Sequence, residues 1–194
     1  MTGTRPVPRV ELHGERVSIR PFEAADAEAL YEIRQGNRDF FSPYEPASAF
    51  VAQSLEEQVA RLAAERVEWD EDKGYPFGIF AGGTLVGRIA LSHVSRGGWQ
   101  NAVLGYYVDR QQNGNGYATQ AARLAIRFGF EHAELHRLQA GVMPRNARSI
   151  RVLEKAGFRY EGTSPRYLEI NGVWEDHMMF AITREEWTGD ATRA

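Results

Sequence analysis

The sequence predicts an α+β domain in which about four helices flank a mixed, mostly antiparallel central sheet of about seven strands. Three observations lead to this prediction. Apolar residues alternate with period two in short runs that glycine-containing turns separate, which indicates strands joined by hairpins. Other segments carry apolar residues at helical spacing between capping residues. One of these helices lies between two strand-like runs, and that order supplies one parallel pair of strands.

The chain begins with a predicted strand and two predicted helices. Residues 16–20 alternate polar and apolar side chains and end at a proline, so they form the first strand. Residues 23–35 carry apolar side chains at helical spacing and end at a Gly-Asn stop. The second helix starts after Ser54, where Glu57 completes a capping box, and ends near residue 69.

Between these two helices lies an aromatic segment, residues 37–46, which prolines interrupt. Pro43 and Pro46 remove backbone donors and restrict the residues before them, so we expect no regular structure in this segment. Ordering an irregular loop costs conformational entropy, so we expect this loop to cover a binding cleft.

The middle of the chain predicts three antiparallel strands followed by a long helix. Residues 77–80 and 85–91 flank a Gly-Gly turn and form a hairpin. Residues 102–108 form the next strand after a second Gly-Gly break. The helix covers residues 117 to about 133, with apolar side chains along one face.

The last part of the chain predicts a strand, a helix and a hairpin. Residues 138–142 form a short strand that ends before a proline, and residues 146–156 form a helix with Gly157 at its C-cap. Residues 166–170 and 173–182 form the final hairpin around an Asn-Gly turn. Since we find no repeat or linker, we predict one domain over residues 1–194 whose polar ends, residues 1–9 and 188–194, are flexible.

Composition narrows the functional class. A net charge of −3 argues against a general nucleic-acid-binding surface, and no apolar run approaches the ~20 residues of a membrane span. Because the chain has no cysteine, a disulfide framework, a thiolate zinc site and a cysteine nucleophile are all excluded. The histidines lack ligand spacing, so we expect no metal site. The first residues lack the apolar core of a secretory signal, and we expect a cytoplasmic protein.

The most informative stretch covers residues 111–119, at the point where a strand-like run gives way to the long helix. A helix N-terminus presents backbone N–H groups without intrahelical partners beside the positive end of the helix dipole. Gly114 and Gly116 let the backbone approach a bulky anion closely, which is typical of a pyrophosphate-binding turn. A tight connection without a ligand would carry the same glycines. A dinucleotide-binding fingerprint is disfavoured because its third glycine would fall at Thr119.

Two motifs carry a family resemblance. Gln111-x-x-Gly114-x-Gly116 resembles the acetyl-coenzyme A loop of the GNAT acetyltransferase superfamily. The run that begins with Asn146-x-x-Ser149 and continues through Glu-Lys-x-Gly-Phe to Glu-Gly resembles the ribosomal-protein alanine N-acetyltransferases, the RimJ/RimL branch of that superfamily.

The resemblance extends toward the RimJ type over most of the chain. The 37–46 segment is similar to that branch's Asn-Arg-x-Phe-Leu-x-Pro-Trp-Glu-Pro motif, with Tyr44 in place of the tryptophan. A Ser-Arg-Gly motif at residues 95–97 and a Tyr-x-x-Ile-x-Gly-x-Trp-x-Asp-His motif at residues 167–177 match similarly. The resemblance implies the GNAT fold and transfer of an acetyl group from acetyl-CoA to a primary amine. The acceptor it implies is the N-terminal α-amine of a protein, for example a ribosomal protein.

The same resemblance implies a coenzyme site. Asn146 would hydrogen-bond the pantetheine arm and Ser149 would face the sulfur, although both residues would also serve as the cap and first turn of a helix. The residues that we expect to bind the coenzyme are Tyr107, Val108, Gln111, Gln112, Asn113, Gly114, Asn115, Gly116, Tyr117, Ala118, Asn146 and Ser149.

The reaction requires little catalysis by side chains. An α-amine has a pKa of about 7.7–8, so a carboxylate or a water relay can take its proton at neutral pH. We expect Glu45 to act as this base or to orient the amine, although a solvated loop carboxylate is equally consistent with the sequence. A backbone N–H near Val108 would polarise the acetyl carbonyl, and Ser149 would donate to the departing sulfur.

The sequence departs from the family pattern at the acid and base positions. Leu153 occupies the place of the tyrosine that other GNAT enzymes use as a general acid, and Leu168 lies where a RimL-like base would fall. Gln120 replaces a glutamate that many relatives carry after the glycine loop, a difference that we expect to act indirectly.

The acceptor is the least constrained part of the prediction. The residues expected to line its cleft are Asn37, Phe40, Phe41, Tyr44, Trp99, Tyr106, Tyr167 and His177. Aromatic residues on strands are more often core residues, and a buried structural role for His177 is the alternative. A small-molecule N-acetyltransferase and a non-catalytic acyl-CoA-binding or ribosome-associated module remain open. The sequence leaves open a monomer or a homodimer.

Overall fold

The fold was analysed in a computed structural model that describes residues 6–46, 52 and 54–189. Its helices and strands are, in chain order, β1 (Leu12–His13), β2 (Ser18–Pro21), α1 (Ala27–Gly36), α2 (Arg38–Phe41), α3 (Leu55–Asp70), β3 (Tyr75–Ala81), β4 (Thr84–Ser95), β5 (Asn101–Val108), α4 (Tyr117–Glu131), β6 (Arg137–Val142), α5 (Ala147–Lys155), β7 (Arg159–Ile170) and β8 (Val173–Thr183).

All eight strands form one sheet, in the order β1-β2-β3-β4-β5-β6-β8-β7. The pair β5–β6 is parallel, and every other neighbouring pair is antiparallel. The predicted α+β class and the parallel pair around the long helix are confirmed. The strand β1 was not predicted, because two residues are too few to show a period.

The helices cover the two faces of the sheet. Helix α1 packs with Leu30 against Phe80 and Leu85 on one face. On the other face, Phe128 of α4 lies 4.8 Å from Phe77, measured between ring centroids. Within the described residues, no helix is both long enough and apolar enough to cross a membrane.

Part of the N-terminal stretch that we expected to be flexible makes specific contacts. The carbonyl of Val7 accepts a hydrogen bond from Trp69 at 3.0 Å, and Arg9 pairs with Asp70 at 2.8 Å. Residues 1–5 and 190–194 lie outside the described residues.

The 37–46 segment contains a short helix, α2, where we predicted no regular structure. Asn37 breaks the helical path between α1 and α2 with backbone angles φ −114° and ψ 12°. Both prolines lie after the last residue of α2, so they do not remove any hydrogen bond from it. The prediction was wrong because it treated the prolines as interrupting the whole segment.

The parallel strands β5 and β6 pair over only part of their length. Their register ends at Val103 opposite Gln139, whereas β5 continues to Val108 and β6 to Val142. Beyond that point β5 keeps its pairing with β4, and β6 keeps its pairing with β8. The sheet therefore opens between the carboxyl ends of its two parallel strands, and we call this gap the opening.

The position of β5 beside the opening depends on a close approach to β4. A Cβ on Gly87 would overlap the carbonyl oxygen of Tyr107 and would lie 2.9 Å from the Cα of Val108. Both of these atoms belong to the backbone of β5, so a side chain at this position must displace the strand.

We expect Gly87→Ala to lower the free energy of unfolding by about 1–3 kcal/mol, since overpacking against backbone cannot be relieved by a rotamer change. Urea denaturation measures this loss. The matched control is Gly105→Ala on β5, where an added Cβ meets no heavy atom within 4 Å. Its effect should stay below about 1 kcal/mol. Equal stability of the two variants would contradict the close approach.

Candidate active site

Two turns follow the two strands that border the opening. The turn after β5 leads through the glycine loop, residues 111–116, into α4, and the turn after β6 leads into α5. Because the strands are parallel, both turns lie at the same end of the sheet. Ligands of α/β proteins commonly bind at such a position, beyond the carboxyl ends of diverging strands.

The glycine loop has a defined internal structure. Asp109 accepts a hydrogen bond from the N–H of Gln111 at 3.1 Å, and this bond starts a short 3-10 turn. Asn115 donates to the carbonyl of Gln112 at 3.1 Å. The predicted Asn113 lies between these contacts as the C-cap of the 3-10 turn.

The two glycines are required by backbone conformation. Gly114 has φ +85° and Gly116 has φ +78°, values at which any other residue loses roughly 1–2 kcal/mol. A Cβ on either residue would meet nothing within 4 Å, so the space beside the loop is open. Gly116 caps α4 without a side-chain hydrogen bond, so the first N–H groups of α4, at Tyr117 and Ala118, have no cap from that residue. The loop can present these donors to phosphate oxygens.

Arg16 holds the glycine loop from outside, and no local sequence signal indicates it because it lies 99 residues away along the chain. Its guanidinium donates to the carbonyl of Asn115 at 2.9 Å and lies 5.5 Å from the ring centroid of Tyr117. Its backbone N–H donates to Gln120 at 2.9 Å. Gln120, which stands where many relatives carry glutamate, therefore still provides an oxygen that accepts a hydrogen bond from the backbone just before β2.

The start of α5 is fixed by two polar side chains. Asn146 caps the helix, with its Oδ1 accepting the N–H of Ser149 at 3.2 Å. This bond uses the amide oxygen and leaves the amide nitrogen as a donor. The side chain of Ser149 lies in the first turn of the helix, with its Oγ 2.8 Å from the hydroxyl of Tyr106.

Tyr106 thus lies on the α5 face of β5 and contacts Ser149, whereas we predicted it in the wall of an acceptor cleft. Its hydroxyl also lies 3.2 Å from the carbonyl oxygen of Ser149. Burial raises the pKa of Tyr106 to about 12, which outweighs the lowering effect of Ser149. The phenol therefore stays protonated at neutral pH and can orient the serine hydroxyl.

Backbone N–H groups of β5 face the opening. Asp109 donates its N–H to the carbonyl of Val86 on β4 at 2.8 Å, and the next pair along the ladder joins Gly87 and Val108. Antiparallel partners alternate between hydrogen-bonded and non-hydrogen-bonded pairs. The N–H of Val108, and by the same alternation that of Tyr106, therefore points away from β4 and toward β6.

Tyr107 projects to the opposite face from Tyr106, because successive side chains of a strand alternate. Its ring centroid lies 4.9 Å from that of Phe41 and 4.8 Å from the guanidinium of Arg34. The side chain of Tyr107 therefore points away from α5, and by the same alternation its backbone pairs with Arg88 of β4. This arrangement does not support the coenzyme contact that we predicted for Tyr107. Phe41 is only 5% exposed and packs on Tyr107, so it belongs to the core and not to a cleft wall.

Glu45 lies on this second face and is paired. Its Oε1 accepts a hydrogen bond from Nη1 of Arg34 at 3.2 Å, and its Oε2 lies 2.9 Å from the same nitrogen. Burial raises the pKa of Glu45 above its ordinary value, and the positive charges of Arg34, Arg61 and Arg88 offset only part of that rise. A carboxylate with a raised pKa is a better base than a solvated one.

Glu65, a second buried carboxylate on this side of the sheet, is also paired with arginine. Glu65 of α3 accepts from Arg88 of β4 at 2.8 Å and from Arg61 at 3.1 Å. Glu45 and Glu65 are thus balanced by three arginines.

Asn37 has a structural role that the prediction missed. It is 6% exposed, and its Nδ2 donates to the carbonyl of Ile33 at 2.9 Å and to Oδ1 of Asp109 at 3.1 Å. Its Oδ1 accepts the N–H of Arg110 at 2.8 Å. These bonds occupy both amide protons, so Asn37 is not placed to bind an acceptor.

The 37–46 segment touches both the β6–α5 turn and the last hairpin. Asn171, in the turn between β7 and β8, donates to the carbonyl of Ser42 at 2.7 Å. Arg145, directly before the cap of α5, donates to the carbonyl of Pro43 at 3.2 Å and pairs with Glu175 at 2.8 Å. These contacts hold the segment against the β6–α5 turn and the last hairpin.

Four of the predicted acceptor residues lie in the segment or in the last hairpin. Phe40 is half-buried and Tyr44 is exposed, both in the 37–46 segment. Tyr167 packs on the buried His177, with ring centroids 5.4 Å apart. The Nδ1 of His177 lies 3.0 Å from a backbone carbonyl of its own strand, which agrees with the structural alternative for that residue.

Trp99 does not join the other predicted residues. It lies before the first residue of β5, whereas the opening lies beyond Val103, and a strand advances about 3.3 Å per residue. It is 69% exposed. The neighbouring Arg96 explains the Ser-Arg-Gly motif structurally, since it pairs with Asp72 at 2.6 Å and donates to the carbonyl of Ala133 at 2.7 Å.

Among the residues that the structure describes, no group of three or more histidine, aspartate or glutamate side chains could hold a metal ion.

Comparison with known proteins agrees with this geometry. A family model described as an acetyltransferase (GNAT) domain matches residues 16–159. The probable N-acetyltransferase YjcK of Bacillus subtilis is 42% identical over 173 residues, which cover 88% of this chain and 96% of that protein. The ribosomal protein uS5-alanine N-acetyltransferase of Escherichia coli is 32% identical over 184 residues, which cover 94% and 95% of the two chains.

A solved structure gives the same result in three dimensions. Mycobacterium smegmatis RimJ in complex with CoA-disulfide superposes with a TM-score of 0.85 at 34% identity, covering 89% of this chain and 84% of that one. The family match, the sequence relatives and the fold all agree with the arrangement described above, in which a glycine loop at the start of α4 lies beside the opening between β5 and β6. The chain belongs to the GNAT acetyltransferases and is an acetyl-CoA-dependent N-acetyltransferase.

Proposed function

We propose that this enzyme is a single-domain protein N-terminal acetyltransferase, which moves the acetyl group of acetyl-CoA directly to the α-amine of a protein, with ribosomal proteins as the substrate class. The observation that carries the proposal is the division of the site by β5. Tyr106 faces α5 and the glycine loop, whereas Tyr107 faces the 37–46 segment. The donor and the acceptor approach from opposite faces and meet at the opening.

The donor side uses the glycine loop and the start of α5. The uncapped N–H groups at the start of α4 bind the pyrophosphate, and Arg16 supplies positive charge beside them. The N–H groups of Tyr106 and Val108, which face the opening, bind the pantetheine arm and polarise the thioester carbonyl.

The acceptor side brings the amine to that carbonyl. The neutral amine nitrogen attacks the carbonyl carbon, the carbon–sulfur bond breaks, and the sulfur leaves as a thiolate that Ser149 stabilises by donating a hydrogen bond. The proton of the amine passes to Glu45, directly or through water. The contacts from Asn171 and Arg145 hold the 37–46 segment beside the last hairpin, and the proposed acceptor, an extended chain end, enters between them.

A polyamine or aminoglycoside acceptor fits this arrangement less well. Polycationic acceptors require carboxylates that are free to bind them, and both Glu45 and Glu65 are paired with arginine. The relatives support the protein acceptor, because one of them acts on alanine of ribosomal protein uS5.

The direct test compares protein N-termini by mass spectrometry in cells with and without this gene. We expect one or a few N-termini, including that of a ribosomal protein, to lose acetylation when the gene is deleted. Unchanged N-termini together with a new pool of unacetylated polyamine or amino acid would instead support a small-molecule acceptor.

We expect Ser149→Ala to lower kcat by roughly 10–1000-fold and to change the Kd of acetyl-CoA little, because a bond to sulfur matters most as charge develops there. Steady-state kinetics and calorimetry separate the two quantities. Tyr106→Phe tests the orientation of the hydroxyl and should lower kcat less than Ser149→Ala. If Ser149→Ala had the kcat of the wild type, this serine would have only a structural role at the start of α5.

We expect Glu45→Gln to lower acetylation of a peptide that begins with Ala or Ser, and to recover part of the loss as the pH rises and more of the amine is neutral. Coenzyme affinity should stay at the wild-type value. The control is Arg34→Met, which removes a positive charge that lowers the pKa of Glu45.

In Arg34→Met the acidic limb of kcat/KM should move to higher pH, since the carboxylate becomes protonated more easily. In Glu45→Gln the part of the limb that Glu45 sets should be lost, which leaves the rise that follows deprotonation of the amine. Identical pH profiles for wild type and Glu45→Gln from pH 6 to 9 would exclude Glu45 as the base and leave a water relay.

A further inference from the structure

The 37–46 segment is tied at two points to residues that directly precede proposed coenzyme-binding positions. At its start, Asn37 bonds Asp109 and Arg110, which lead into Gln111. Near its end, the carbonyl of Pro43 accepts from Arg145, which leads into Asn146. The two tethers come from two different turns, one on each side of the opening.

The tether at Asn37 shares an acceptor atom with the glycine loop. Oδ1 of Asp109 accepts the Nδ2 of Asn37 at 3.1 Å and also the N–H of Gln111 at 3.1 Å. Asn37 is simultaneously the C-cap of α1 and the N-cap of α2. Asn37 therefore links the turn at Gln111 to the start of α2.

The tether at Arg145 is exposed and bridges three elements. One guanidinium nitrogen donates to Pro43, and the other pairs with Glu175 of β8 at 2.8 Å. Since Asn146 caps α5 next to it, ordering of the α5 turn also fixes the base of the Arg145 side chain.

We propose that Asn37, Asp109 and Arg145 are positioning residues that couple coenzyme binding to the conformation of the 37–46 segment. Acetyl-CoA bound to both turns orders the segment, and the ordered segment completes the acceptor side with Glu45 in place. By linkage the effect is reciprocal, so an acceptor held under the segment also strengthens coenzyme binding. The inference rests on the proposed function in one respect, that the 37–46 segment covers the acceptor.

The coupling can be measured without any acceptor, by hydrogen–deuterium exchange with and without saturating coenzyme A. In the wild-type enzyme we expect coenzyme A to slow amide exchange in residues 111–118 and, through the tethers, in residues 38–45. Coupling energies of this kind correspond to roughly 5–150-fold in an equilibrium constant, which sets the expected slowing at residues 38–45.

The key variant is Asn37→Asp, which removes both amide protons and sets a carboxylate against Asp109. We expect coenzyme A to protect residues 111–118 in this variant but to lose its effect on residues 38–45. Adding Asp109→Asn reverses donor and acceptor across the same pair and keeps an oxygen for the N–H of Gln111. Protection of residues 38–45 should return in that double variant.

A second variant keeps the test decisive if the first one does not fold. Arg145→Met removes an exposed side chain and should reduce the coenzyme-dependent protection of residues 38–45. The matched control is Arg66→Met on the exposed side of α3, which should behave as the wild type does.

Three results would overturn the inference: wild-type protection confined to residues 111–118, full protection of residues 38–45 in Arg145→Met, or a folded double variant without recovery. Absence of protection at residues 111–118 in the wild type would overturn the coenzyme site as well. Because no acceptor is present, failure here is distinguishable from failure of the proposed acceptor, which the analysis of cellular N-termini tests.

Discussion

The architecture of the site depends on where the β5–β6 ladder stops. Had the two parallel strands stayed paired to their ends, the N–H groups of Tyr106 and Val108 would be bound to β6 and unavailable to a ligand. The ladder instead ends at Val103 and Gln139, and each strand is held beyond that point only by its outer neighbour. The close approach of β4 at Gly87 fixes β5 on its outer side, so the backbone donors stay in place without a partner strand.

Because side chains alternate along β5, neighbouring residues of this strand contact different elements on the two faces of the sheet. Tyr106 contacts the start of α5, and Tyr107 supports the 37–46 segment through Phe41 and Arg34. A shift of one residue in the register of β5 would exchange these two tyrosines between the faces. The proposed division between a coenzyme side and an acceptor side therefore depends on the register of a single strand.

The sequence was sufficient for the α+β class, the parallel pair and the helix that starts at the glycine loop, because each has a periodic or capping pattern within a short window. It was insufficient where partners are distant in the chain. Arg16 and Asn115, or Asn37 and Asp109, meet only after folding, and no local pattern marks them. The aromatic residues show the same limit. Phe41, Trp99 and Tyr106 have similar chemistry, but Phe41 lies in the core, Trp99 lies before the first residue of β5, and Tyr106 contacts α5. Composition cannot separate these positions, whereas register and burial do.

The ion pairs of this fold respond to acid in opposite ways. Burial alone would raise the pKa of Asp72, but hydrogen bonds from Arg96 and Tyr75 outweigh it and hold the pKa below its ordinary value. Such a carboxylate stabilises the fold above its unfolded pKa, and that contribution is lost only as the pH falls through the lower folded value. Glu45 differs, because its raised pKa means that its charged form costs stability and that it takes up a proton earlier as the solution is acidified. On acidification the proposed base Glu45 is therefore protonated before Asp72, so the Arg96–Asp72 pair, which joins the residues after β4 to those after α3, is still charged when the base is lost.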